Sequence, residues 1–271
     1  MMGLAGHTVG VIGAGNMGGA IVAGLARASG GARVRCFDTD RKKSEALARD
    51  FGADVSRSIG ELAGASDIII IAVKPDALPS VLKELKGLPA GRLLVSIVAG
   101  ASTESMEKAL PPAQKLVRAM PNTPALVGEG MTVLAAGAHA DADSMALAEE
   151  LFSHTGKTLV LPERLMDAVT GLSGSGPAFV FTMIQAMADG GVKTGIPRER
   201  ALLLAAQTVL GAARMVLETG DDPAVLRGRV ASPGGTTIEG LHALERAGFS
   251  GIVMDAVEAA ALKSARLGEK K

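Results

Sequence analysis

Two stretches of this 271-residue chain hold residues whose types and spacing can do chemistry with the backbone itself. In the first, Val9-Gly10-Val11-Ile12 runs into Gly13-Ala14-Gly15-Asn16-Met17-Gly18, and a helical pattern follows at once. Between a strand and a helix, Gly-x-Gly-x-x-Gly has a definite mechanical meaning. Gly13 permits a tight turn, Gly15 lets a pyrophosphate approach the backbone, and Gly18 lets helix and strand pack closely. Free N–H groups and the dipole at the helix N-terminus favour the phosphates. In the second stretch, Ser232-Pro233-Gly234-Gly235-Thr236-Thr237-Ile238-Glu239 opens a helix with an apolar set at Ile238, Leu241 and Leu244. Gly234 and Gly235 expose N–H groups at the start of this helix, and the turn forms an anion nest sized for a carboxylate. Thr236 and Glu239 have the spacing of a capping box, which leaves Thr237 as the free hydroxyl of the first turn.

Other residues join the nucleotide site by position. Asp38 ends a strand twenty residues after Gly18, where a carboxylate can hold a ribose 2′-hydroxyl. It repels the 2′-phosphate of NADP by up to about 4 kcal/mol per unit charge at about 4 Å. Arg41, Lys42 and Lys43 follow and can clamp such a phosphate, or form the solvated first turn of a helix. NADPH and NADH both remain open. Ala72-Val73-Lys74-Pro75 closes a strand at the edge where ligands sit in open α/β sheets, and Lys74 there reaches a phosphate or ribose. Met120-Pro121-Asn122-Thr123-Pro124 offers one stiffened side-chain amide, suited to a nicotinamide carboxamide. In Gly171-Leu172-Ser173-Gly174-Ser175-Gly176-Pro177, Ser175 is expected to cap the helix that follows.

The elements that must position these residues change character along the chain. Val9–Ile12, Val34–Phe37, Ile68–Val73 and Leu93–Val98 read as buried strands, with further strands at Val133–Ala136 and Thr158–Leu161. Helical spacing falls between them at 21–28, 41–51 and 78–85, the alternation of parallel βαβ units. After Leu161-Pro162 the segments 178–188, 201–217 and 252–267 are helical and rich in Ala, Leu and Met. The expected fold is therefore α/β: an N-terminal Rossmann dinucleotide-binding domain over 1–161, then an all-helical domain over 162–271. Segment 201–217 is apolar nearly all round, so the helical domain is expected to bury it against a second copy of the chain.

Composition narrows the partners. Lys plus Arg (28) balances Asp plus Glu (28), and aromatic residues are 2% of the chain, with no Trp or Tyr. Both facts argue against nucleic acid. Apolar runs are strand-sized, which argues against a membrane span. One cysteine, Cys36, is expected to be buried and inert, and a lone cysteine fits a reducing, cytoplasmic setting. The four His residues lack ligand spacing, so no metal is expected.

Taken together, the glycine fingerprint, Ala72–Pro75, Arg118–Ala125, Leu172–Ala178, Ala188-Asp189-Gly190-Gly191 and above all Val230–Glu245 resemble the pyrroline-5-carboxylate reductase family. The resemblance implies a Rossmann domain followed by a helical dimerisation domain, with dimers assembled into rings such as a decamer of five dimers. It implies NAD(P)H-dependent reduction of 1-pyrroline-5-carboxylate to L-proline. It puts Ser232, Gly235, Thr236 and Thr237 at the carboxylate site, with Thr237 beside the ring nitrogen as the catalytic candidate. It also puts Val73, Lys74, Ala99 and Asn122 at the cofactor. Two departures stand out: Phe179 replaces a frequent Tyr, and Asp38 is not general in the family. A β-hydroxyacid dehydrogenase would need a lysine where this chain has Val180. A non-catalytic nucleotide-binding regulator would leave the second nest without a purpose.

Overall fold

A computed structural model describes residues 3–28, 32–89 and 91–269. Continuous apolar runs need both faces covered, and they become a parallel sheet flanked by helices. The strands are β1 (Thr8–Ile12), β2 (Arg33–Phe37), β3 (Asp54–Val55), β4 (Ile68–Ile71), β5 (Leu93–Ser96), β6 (Lys115–Met120), β7 (Gly130–Ala136) and β8 (Gly156–Val160). Their order in the single sheet is β3-β2-β1-β4-β5-β6-β7-β8. The helices between them are α1 (Asn16–Arg27), α2 (Arg41–Phe51), α3 (Ile59–Gly64), α4 (Leu78–Glu84), α5 (Thr103–Glu107) and α6 (Ala142–Ser153).

Period-two alternation sorts the core. Val9, Val11, Ile68, Ile70, Leu93 and Val95 pack on one face with Ile21, Val22 and Leu25 of α1 and Leu151 and Phe152 of α6. Ile69, Ile71 and Leu94 face the other way, onto Leu62 of α3, Leu78, Val81 and Leu82 of α4, and Met106 of α5. Strands β1 to β6 pair in parallel, whereas β7 runs antiparallel to β6. The sequence pattern gave no hint of that reversal. Residues 121–129 are too few for the crossover of about a dozen residues that a parallel neighbour requires.

Some boundaries move for local reasons. The ladder of β4 stops at Ile71, because the chain must turn away through Val73, Lys74 and Pro75. Strand β5 stops at Ser96, two residues short of the apolar run. Strand β6 contains Arg118, a charge that broke the apolar signature of the segment. Strand β3 has two residues, below the length at which alternation is visible.

After Val160 every regular element among the described residues is helical: α7 (Met166–Val169), α8 (Gly176–Lys193), α9 (Arg198–Thr219), α10 (Pro223–Val230), α11 (Thr236–Arg246) and α12 (Phe249–Glu269). Packing divides the chain at Ser175/Gly176 and returns the segment from Glu258 onward to the first unit; Gly176–Val257 forms the second. The change in sequence character comes earlier, at 161/162. Residues between the two breaks pack on the sheet: Met166 and Val169 are buried with Val133 and Ala135 of β7. Ser264 Oγ donates to Asp167 Oδ1 at 2.6 Å, which ties the end of α12 to α7.

The glycine-rich segment before α8 is not a loop. Thr170–Gly174 forms a π-helical turn continuous with α7, and Ser175 N–H donates to the Thr170 carbonyl at 2.8 Å. Ser175 lies between that turn and α8 with helical backbone angles, which an N-cap does not have, so the capping role expected of it is corrected. In the second unit α8 and α9 pack through Ala188, Ala201 and Ala205, with Gly191 against the Ala201 methyl. Arg198 pairs with Asp189, and this contact, with Gln185 assisting, holds the Asp189 carboxyl below the usual carboxylate range.

Helix α9 is long and apolar enough, by length and composition, to cross a membrane. The sequence pattern alone put every apolar run well short of a span. Leu203 of α9 is 70% exposed, Leu217 of α9 is 66% exposed and Met254 of α12 is 67% exposed.

Cys36 sits in β2 with no exposed surface, and burial pushes its thiol above the ordinary value. Native protein should therefore leave a thiol reagent unconsumed, with one equivalent reacting once denaturant opens the sheet; a colorimetric thiol titration checks this.

Candidate active site

The first cluster lies at the carboxyl ends of the parallel strands, where strand order reverses between β1 and β4. Gly13 follows β1 with φ +103°, a conformation L side chains rarely adopt. A Cβ there would also stand 2.4 Å from the Ala72 carbonyl oxygen, so Gly13 and Ala72 are pressed together. Gly18 is tighter: its Cβ would lie 1.9 Å from the Gly13 carbonyl oxygen. Gly15 is the opposite case. It has extended backbone, it is exposed, and an added Cβ meets nothing within 4 Å. The three glycines thus divide into a turn, an open approach and a close contact, the arrangement a pyrophosphate needs. Gly15 is the N-cap of α1 and no side chain caps it, so the first-turn N–H groups, from Asn16 onward, face the open side. These residues fit a dinucleotide.

The structure brings most of the expected nucleotide residues to this one edge. Ile12 is buried, and its carbonyl accepts from Ala72 N–H at 2.8 Å. Val73 and Pro75 are half-buried, and Lys74 is exposed as the residue before a short 3-10 turn. Ala99 is half-buried beyond β5, whose exit is held to β4 by Ile97 N–H donating to the Ile71 carbonyl at 3.1 Å. Met17 is half-buried, and Ala14 is buried. Asp38, just beyond β2, accepts from Ala14 N–H at 2.7 Å and from Asp40 N–H at 2.8 Å.

Asn122, just beyond β6, is hydrogen-bonded through both ends of its amide. Its Nδ2 donates to the Ser173 carbonyl and Oγ at 3.2 and 3.3 Å, and its Oδ1 accepts from Met131 N–H at 2.9 Å. The amide ties the exit of β6 to the π-helical turn and to β7.

One supporting group escaped the sequence reading. Glu163 accepts from Thr103 N–H at 2.7 Å, from Thr103 Oγ1 at 2.5 Å and from Arg118 Nη1 at 3.1 Å. Arg118 is 6% exposed. This ion pair anchors the turn after β5 that carries Ala99. A lone arginine inside an apolar strand was the available signal; its partner, 45 residues away, was not identifiable by spacing.

The second cluster stands at the start of α11, in the second unit. Gly234 has φ +64°, and Gly235 N–H donates to the Ser232 carbonyl at 3.0 Å. Ser232 Oγ lies 2.3 Å from where a Gly235 Cβ would be, so only glycine leaves room for that hydroxyl. Helix α11 begins at Thr236 with Gly235 as its N-cap, and no side chain caps it. The capping box expected of Thr236 and Glu239 is absent, because the two-glycine turn delivers Thr236 already inside the helix. The first-turn N–H groups are left for a ligand. Thr237 is half-buried beside them, while Ser232 and Thr236 are exposed.

Side chains cap several of the other helices. Asp40, Ser58, Ser102, Asp141 and Asp222 cap α2, α3, α5, α6 and α10 with their side chains. Helices α1 and α11 share the lack of a side-chain cap with α4, α7 and α9, and each of the two has a glycine as its N-cap.

Comparison with known proteins reads both halves. A family described as NADP oxidoreductase coenzyme F420-dependent matches residues 8–100. A family described as pyrroline-5-carboxylate reductase dimerisation matches residues 163–267. A pyrroline-5-carboxylate reductase of Methanosarcina acetivorans is 45% identical over 265 residues, covering 97% of this chain and 98% of that protein. The chain belongs to the pyrroline-5-carboxylate reductase family. Solved structures agree. The Plasmodium falciparum pyrroline carboxylate reductase with NADP bound superposes with TM-score 0.89 at 34% identity, covering 97% of this chain and 98% of that one. The Coxiella burnetii pyrroline-5-carboxylate reductase gives 0.90 at 34% identity, covering 96% and 98%. Membership in the reductase family also disposes of the hydroxyacid dehydrogenase alternative, whose lysine is Val180 on α8 here.

Gly15→Val should fold normally, since its backbone is extended and its Cβ meets open space. It should weaken nucleotide binding at least about tenfold, about 1.4 kcal/mol; calorimetric titration with NADH and NADPH, alongside a thermal melt, checks both halves.

Proposed function

We propose that this chain catalyses the NAD(P)H-dependent reduction of 1-pyrroline-5-carboxylate to L-proline. The observation that carries this reading is the uncapped nest at 232–237 in a chain that also bears an intact dinucleotide edge. One cluster is built for a diphosphate and the other for a small carboxylate.

Gly13 to Gly18 hold the pyrophosphate, Asp38 the adenine-side ribose, and Ala72 to Pro75 with Ala99 line the strand ends beyond it. Bound there, the reduced nicotinamide supplies a hydride. The first-turn N–H groups of α11 and the Ser232 and Thr236 hydroxyls hold the substrate carboxylate, where the helix dipole favours negative charge. Thr237 Oγ1 accepts from the N–H of the protonated cyclic imine. That hydrogen bond keeps the ring nitrogen positively charged and the C=N carbon electrophilic. Hydride addition to this carbon converts the iminium to the secondary amine of proline, with the nitrogen keeping its proton. No side-chain nucleophile is needed, and orientation supplies most of the protein's contribution.

The protein forms homo-oligomers, as its dimerisation-family match implies. We place the homodimer contact on the helical unit, where Leu203, Leu204 and Leu217 of α9 are more than half exposed. A decamer of five dimers is the assembly proposed for the whole. The lone buried cysteine suits a reducing cytoplasmic compartment.

Thr237→Ala should lower kcat at least about tenfold while leaving nucleotide affinity unchanged; turnover equal to wild type would remove Thr237 from the reaction. No oxidation of NADH or NADPH in the presence of 1-pyrroline-5-carboxylate would overturn the reductase assignment. Light scattering should give a multiple of 27.4 kDa, and a monomer at micromolar concentration would refute the homodimer.

A further inference from the structure

The unresolved property of the proposed reaction is which reduced nicotinamide it takes, and the groups around Asp38 bear on it directly. The side chain is not free to step aside. Its Oδ2 accepts from Ala14 N–H at 2.7 Å and its Oδ1 from Asp40 N–H at 2.8 Å, so both oxygens are anchored, one of them inside the glycine turn. Rotating the carboxylate away would strand two backbone donors. Each oxygen keeps a second lone pair, able to accept from a ribose hydroxyl. A 2′-phosphate has almost no proton to give and brings like charge onto a fixed anion.

Two of the three cations nearby already face acidic partners. Arg41 Nε binds Glu45 Oε1 at 2.8 Å, and Lys43 Nζ stands 3.9 Å from Asp40 Oδ2. Over residues 38–45, Asp38, Asp40 and Glu45 balance Arg41, Lys42 and Lys43, leaving no net positive charge for a phosphate. Asp40 is further tied down as the cap of α2, accepting from Lys42 N–H. The geometry points to a chain that selects NADH over NADPH, with Asp38 as the specificity-determining residue. This rests on the reductase reading for the reaction, but not for the binding preference.

Calorimetry with ADP-ribose and 2′-phospho-ADP-ribose isolates the adenosine end from catalysis. Wild-type protein should bind ADP-ribose at least about tenfold more tightly than its 2′-phosphorylated counterpart. The ratio of kcat/KM for NADH over NADPH should favour NADH by a similar factor. Asp38→Ser, which removes the charge and keeps a hydroxyl, should collapse or invert both ratios. Equal or tighter binding of the 2′-phosphorylated ligand by wild type would overturn the inference, as would unchanged ratios in Asp38→Ser. The wild-type comparison decides the matter even where the variant folds poorly. Imine reduction with a preference for NADPH would sink the inference and keep the function. Tight ADP-ribose binding without imine reduction would do the reverse.

Discussion

The contact between Gly18 and the Gly13 carbonyl sets the geometry of the first unit. With no Cβ between them, α1 can start directly above the turn that leaves β1, and its first N–H groups then face the open edge. Any larger residue at Gly18 would push the helix off its strand. Gly13 meets the Ala72 carbonyl from the other side, so the exits of β1 and β4 are locked to one another. The sheet provides the rigid base, through fully buried Val9, Val11, Ile69, Ile70 and Ile71. The site is a consequence of backbone packing, with side chains added around it.

Polar side chains then do the positioning that a chain poor in aromatics cannot do by packing alone. Glu163 ties Arg118 to Thr103, and Asn122 ties β6 to the π-helical turn. Neither interaction is an obvious source of stability, since burying an arginine carries a large desolvation cost that its partner only offsets. What they supply is a single defined arrangement of the turns at the carboxyl edge. Satisfied networks of this kind are demanding, because losing one member leaves its partners buried without a bond.

Much of this was legible in the residues. Strands with continuous β-branched runs and the glycine fingerprint specify their own structure locally, and the resemblance across 13–18 and 230–245 pointed to the family. Information carried by distant pairs was not legible. The commitment of Asn122 depends on Ser173, the burial of Arg118 depends on Glu163, and the antiparallel turn of β7 depends on the short span 121–129. Local rules also misled where two glycines change the phase of the chain: Thr236 has cap spacing in the sequence but is already helical, with Gly235 before it. At Ser175 the same happens through the π-helical turn.

Bare glycine in front of α1 has a further consequence. At Gly15, where an added side chain meets open space, a serine or aspartate would satisfy the first-turn donors and gain a few tenths of a kcal/mol over glycine. That gain would use up the donors to which the proposed pyrophosphate site owes its character. Selection for thermal robustness alone, whether in a laboratory or by consensus design, would therefore be drawn toward substitutions that silence the protein. Residue 15 is a place where this molecule has left a stabilising option unused.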